Sequence, residues 1–168
     1  FYNPMLVIIA AFVFLAASGE ATQAQICAVT KGALVTDAMI TDFQSLPITA
    51  TAGDAADALI RTTQKEFPVI DNGGRLRGAL TRDATLKVLK EIGPDVPVLE
   101  VMQADVATIS ANAKLENAVR QLMPGQQPII GVTDVDGKLV GLLTLENLAE
   151  MTMVRSALSD SGAAGRGP

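Results

Sequence analysis

No histidine occurs anywhere in the 168 residues, and cysteine occurs once, at Cys27. The first absence removes the His-Glu-x-x-His zinc motif, the Ser-His-Asp and Cys-His nucleophile systems, and most metal sites. With one cysteine no internal disulfide can form, which fits a reducing setting; Cys27 itself reads as a small buried or interfacial residue. Aromatic residues make up only 4%, too few for a base-stacking platform. The net charge is -5 and no basic patch exists to neutralise phosphates, so a nucleic-acid partner is not expected. No catalytic residues are expected in this chain.

What is present is uneven. Phe1 to Gly19 carries no charge, and Met5 to Ala17 is almost unbroken Leu, Val, Ile, Ala and Phe. Asn3 followed by Pro4 reads as an N-cap with proline at the first helical position. Such a helix spans roughly 28 Å at about 1.5 Å per residue, enough for a hydrocarbon core. Residues 1–19 are therefore expected to form a transmembrane helix, the last span of a longer membrane protein. A signal peptide and a buried core helix are the competing readings. Residues 20–33 read as a helical connector. The Gly-, Ala- and Ser-rich end makes 155–168 an expected disordered tail.

Between these flanks the sequence repeats at an offset of 63. Val35 and Met39 fall on Val98 and Met102. Asp71, Gly74, Leu76, Gly78, Leu80 and Thr81 fall on Asp134, Gly137, Leu139, Gly141, Leu143 and Thr144. Matching Ala58 to Ala118 calls for a compensated shift of three residues inside each copy. Each copy, 34–95 and 96–154, predicts a short strand, a helix, two strands around a Gly-containing turn, and a second helix opening at Thr81 or Thr144. The first helix of each copy shows one apolar face, at Ala55, Ala58, Leu59 and Thr62 or at Leu115, Ala118, Val119 and Leu122. The predicted fold class is α/β (α+β): tandem β-α-β-β-α repeats related by a pseudo-two-fold axis and preceded by one transmembrane helix. A unit of about 60 residues buries too little surface to stand comfortably alone. Two copies packed sheet to sheet hide both faces and leave two related clefts.

The phrases Val35-Thr-Asp-Ala-Met39-Ile, Val98-Leu-Glu-Val-Met102, Phe67-Pro-Val-Ile-Asp71 and the repeated Gly-x-Leu-Thr resemble tandem cystathionine-β-synthase (CBS) domains, a Bateman module, over residues 34–154. The flanks, Asn3-Pro4, Gly19-Glu20-Ala21 and the run 143–151, are similar to CBS-bearing site-2 protease relatives. That resemblance implies an intramembrane zinc metalloprotease as parent. Its zinc would lie in upstream helices, with the CBS repeats in the cytoplasm. A tail of a membrane transporter or channel, and a ligand-free dimerisation module, are the alternatives.

The resemblance also implies an adenine nucleotide ligand (AMP, ADP or ATP) and a homodimer. The family pattern places Ser/Thr-x-x-Asp after the last strand of each copy, the hydroxyl facing phosphate and the aspartate holding ribose. Here Thr81 and Thr144 supply the hydroxyl, but the aspartate position holds Ala84 and Asn147. Asp83 stands one residue early, and Glu146 is its counterpart. The backbone at Phe67, Pro68 and Val69 is where an adenine would rest. Of the two clefts, the one with Thr144 and Asn147 is the better candidate. Each of these threonines also serves simply as an N-cap, and Asp83 and Glu146 complement a helix dipole with no ligand at all. Met39 and Met102 read as core fillers, and Gly78 and Gly141 as strand-packing glycines.

Overall fold

The structure, a computed structural model, describes residues 30–122 and 127–164, with side chains to residue 158. The expected transmembrane helix, most of the connector and Cys27 lie outside the described residues. Among those described, no helix is long and apolar enough to cross a membrane.

Two three-stranded sheets form, one in each repeat. In the first, β1 (Leu46–Pro47) runs parallel to β2 (Glu66–Ile70), which pairs antiparallel with β3 (Leu76–Thr81). In the second, β4 (Thr108–Ser110), β5 (Ile130–Thr133) and β6 (Leu139–Leu143) repeat that order and direction. The helices are α1 (Ala52–Arg61), α2 (Arg82–Glu91), a single turn α3 (Val98–Val101), α4 (Leu115–Leu122) and α5 (Leu145–Ala164). A 3-10 turn at Val35–Asp37 opens the first repeat.

Local chemistry explains the elements. Thr51 and Asp54 cap α1 reciprocally: Asp54 N–H donates to Thr51 Oγ1 at 3.3 Å, and Thr51 N–H donates to Asp54 Oδ2 at 2.8 Å. Between β2 and β3, Asp71 Oδ1 accepts the N–H groups of Gly73 and Arg75 at 2.9 and 3.0 Å. Asp134 Oδ1 does the same for Asp136 and Lys138, both at 2.9 Å. Gly74 and Gly137 sit at φ of 78° and 77°, where a side chain would be strained. The recurrent Asp-x-x-Gly phrase is thus a hairpin built twice. Its bulge recurs as well, at Val69/Ile70 and Val132/Thr133.

Two expectations need correction. The offset of 63 holds without the compensated shift. Leu46 pairs with Val69 as Ile109 pairs with Val132, and isolated bridges join Thr51 to Pro97 as they join Leu34 to Lys114. Alanine at both 55 and 58, one helical turn apart, lets the apolar pattern slide by three residues without visible error. Second, residues 155–164 of the expected tail are helical, since α5 continues to Ala164; 165–168 lie outside the described residues. Arg155, Ala157 and Leu158 are good helix formers, and they carry the helix into the Gly- and Ser-rich stretch.

The opening segment of each repeat packs against the other repeat. Ala33, Val35 and Ala38 pack in the core of the second repeat with Leu115, Leu122 and Leu148. Val35 N–H donates to Ala113 O at 2.9 Å, and Leu115 N–H to Ala33 O at 2.9 Å. Val98 lies in the core of the first repeat with Phe67, Val69 and Leu80. Its N–H donates to Ala50 O at 2.9 Å. The exchange is sealed at two glycines. A Cβ on Gly78 would stand 2.6 Å from Met102 Sδ and 2.7 Å from Gln103 O, and a Cβ on Gly141 would stand 2.7 Å from Met39 Sδ. The two methionines each fill the space over the other repeat's last strand. Between the sheets a third cluster, Ala79, Ile129 and Leu142 with Ile40, Phe43 and Val106, joins the halves. Backbone pairs Ile40–Leu142 and Ala79–Gln103 extend each sheet with a segment from the other repeat.

Candidate functional site

The exchanged segments create a cleft of about 940 Å³ between the repeats. One wall is the first opening segment, at Ile40, Asp42 and Phe43, with the approach to β2 from Thr62 to Glu66. The other wall is the end of β6 and the start of α5, with Thr144, Glu146, Asn147 and Glu150. Its volume suits a small organic ligand.

The start of α5 positions three of the expected residues. Thr144 Oγ1 accepts the Asn147 N–H at 3.1 Å and so caps the helix. Asn147 then faces the cleft. Its Oδ1 is buried and has no hydrogen-bond partner among the described residues. A buried, unpaired carbonyl oxygen costs about 1–3 kcal/mol. Glu146 reaches across the cleft: Lys65 Nζ donates to its two carboxylate oxygens at 3.0 and 2.9 Å. That bond raises the Lys65 pKa. Glu66, half-buried beside them, is pushed up by burial and then by the Glu146 charge.

Thr81 and Asp83 do not share this cleft. Thr81 Oγ1 caps α2 by accepting the Ala84 N–H at 3.2 Å. Both residues line an adjoining groove of about 330 Å³, with Lys65, Glu66 and Arg82. Ala84 packs against the first core. Phe67, Pro68 and Val69 are buried in β2, and the cleft wall is made instead by the residues before them. Three consecutive residues of the strand are buried and it pairs with β1 and β3, so only its approach remains open.

Sequence reasoning missed Gln64. Its Nε2 donates to Gln44 O at 2.9 Å and Glu66 O at 2.6 Å, and its Oε1 accepts the Gln44 N–H at 2.9 Å. The side chain ties the opening segment to β2 and shapes the cleft floor. A signal existed: Gln127 lies 63 residues on. Gln127 Oε1 accepts from Ala107 N–H at 3.4 Å in the same way. Asp42, Phe43 and Glu150 were also missed, because they come from segments far apart in the chain. Among the described residues no cluster of three or more carboxylate or thiol ligands could hold a metal.

Fold and cleft together define a paired α+β module with a small-molecule cleft between its halves. The CBS domain family model matches residues 35–91 and 98–153, more than half of the chain. The chain belongs to the CBS domain family, whose members are regulatory and non-catalytic. It is 28% identical over 119 residues to a homoserine O-acetyltransferase of Methanobrevibacter ruminantium, a match covering 70% of this chain and 24% of that protein. The chain thus spans about a quarter of that relative's length. It is 26% identical to CBSX2, solved in complex with AMP, at a TM-score of 0.62, with 77% of this chain and 99% of that chain covered. The cytosolic domain of the Mg2+ channel MgtE, solved in complex with ATP, shares the fold at 22% identity and a TM-score of 0.58, covering 67% of this chain and 46% of that one.

Proposed function

We propose that this CBS pair is a sensory module that takes an adenine nucleoside or nucleotide in the Thr144–Asn147 cleft. Binding there would be passed to an attached domain. The observation that carries this reading is the buried Oδ1 of Asn147, unpartnered among the described residues, on a cleft of about 940 Å³. A ribose hydroxyl would satisfy it. The AMP complex of CBSX2 supports the choice of ligand class. Coupling follows if the ligand favours one arrangement of the repeats, since the cleft wall is itself an exchanged segment. Calorimetric titration with adenosine, AMP, ADP and ATP tests the reading: saturable heat lost in Asn147→Ala supports it, and no heat with any of the four rejects it.

The attached domain is read as an intramembrane zinc metalloprotease, with residues 1–19 in the membrane and the CBS repeats in the cytoplasm. The uncharged run Phe1–Gly19 and the similarity at 143–151 support this. The experiment is to read the gene upstream of the codon for Phe1: a His-Glu-x-x-His helix there supports a protease, and many spans without that motif support a transporter.

A pairing role between copies has one observation in its favour. Met153, Val154 and Leu158 on α5 are 71%, 58% and 67% exposed. Light scattering that gives a dimer, lost in Leu158→Glu, would support it.

A further inference from the structure

The Thr144–Asn147 cleft is acidic. Asp42, Glu66, Glu146 and Glu150 line it, against a single cation among the described residues, Lys65. That cation is already engaged, because its Nζ donates to both oxygens of Glu146. Glu146 also stands in the first turn of α5, where its charge meets the positive end of the helix. A phosphate could be held by a free ammonium or by an open helix N-terminus. One side chain takes up both. Arg82 lines the adjoining groove, beside Asp83. Any phosphate entering the cleft would have to break the Lys65–Glu146 pair and then lie near the remaining carboxylates. The buried acceptor on Asn147 asks only for a donor, which a ribose hydroxyl supplies with or without phosphate.

We propose that the cleft selects adenine nucleosides carrying no net negative charge over nucleotides, and that Glu146 sets this selectivity by holding Lys65. The inference rests on the reading of this cleft as an adenine-ligand site. Glu146 is 60% exposed at its side chain, so its replacement leaves the core untouched.

The test is calorimetric titration of the whole chain with adenosine, AMP and magnesium-free ATP at one ionic strength, repeated with Glu146→Gln. Adenosine should bind at least ten-fold more tightly than ATP, with AMP between them. Glu146→Gln should tighten AMP about five-fold or more relative to adenosine. Adding Lys65→Met to that variant should return AMP to its original affinity. Tighter binding of AMP or ATP than of adenosine to the unaltered chain overturns the selectivity and leaves the adenine site standing. An equal effect of Glu146→Gln on all three ligands overturns the role of Glu146. No binding of any of the three overturns the site and the selectivity together.

Discussion

At the start of α2, Thr81 Oγ1 accepts the N–H of the residue three positions on at 3.2 Å; at the start of α5, Thr144 does the same at 3.1 Å. The backbone at the two places is equivalent and the surroundings are not. Behind Thr81 stands Ala84, packed into the first core. Behind Thr144 stands Asn147, with a buried polar atom unpaired. The repeat made two helix starts, and the position three residues on holds an apolar methyl at one and a buried amide at the other. A threonine cap is shared by the two repeats; the residue three further on decides whether a polar atom is presented there.

The sharpest way to break this comparison is at the exchanged segments. Gly78→Ala would drive a Cβ into the backbone oxygen of Gln103, while the atoms nearest a Cβ at Gly141 belong to the Met39 side chain. Overpacking of this kind costs about 1–3 kcal/mol. Urea denaturation should place Gly78→Ala near the top of that range and Gly141→Ala near the bottom. Equal losses would mean that the two exchanges are not held differently.

Asn147→Ala should weaken adenine-ligand affinity about ten-fold, the worth of one well-placed hydrogen bond of roughly 1.4 kcal/mol. Thr81→Ala should leave it within about two-fold. A loss at Thr81 equal to that at Asn147 would move the site to the other groove.

Thr81→Ala and Thr144→Ala should each cost about 1 kcal/mol of stability, as lost caps do. Thermal denaturation would check this. Similar stability losses with a ligand effect at Thr144 alone would separate the shared role from the unshared one.

The smallest effect concerns Glu66, which lies on both the cleft and the groove. Burial, then the Glu146 charge, raises its pKa above the ordinary glutamate value of 4.5. A carboxyl with a raised pKa in the fold contributes stability when protonated. That contribution is full below 4.5 and is lost as pH rises through the raised value. Glu66→Gln should therefore be more stable than the parent at pH 7 by a few tenths of a kcal/mol, given its exposure. The gain should vanish at about pH 4, below the ordinary value. Denaturation midpoints at the two pH values would show it.

Much of the fold was legible because it rests on short-range chemistry. The Asp-x-x-Gly hairpins, the threonine caps and the apolar face Leu115, Ala118, Val119 and Leu122 each depend on residues within a few positions of one another. The reading failed at α1, where alanine spacing left the register free by one turn, and at the end of α5, where composition spoke for a tail and helix propensity prevailed. Of the residues that line the candidate cleft, Thr144, Asn147 and Glu146 were named from one local pattern. Gln64, Asp42 and Glu150 were not, and Phe67 to Val69 proved to be buried strand.

The order of elements, the two-fold repetition and the need for the copies to pack together were determined by the sequence alone, since hydrogen-bonding turns and apolar periods are written along the chain. Only the tertiary structure decided that Val35 joins the second core and Val98 the first. It also decided that Lys65 meets Glu146 81 positions away, closing the charge of the cleft. Those outcomes depend on which surfaces complement each other across the duplicated halves, and complementarity at a distance has no period to read.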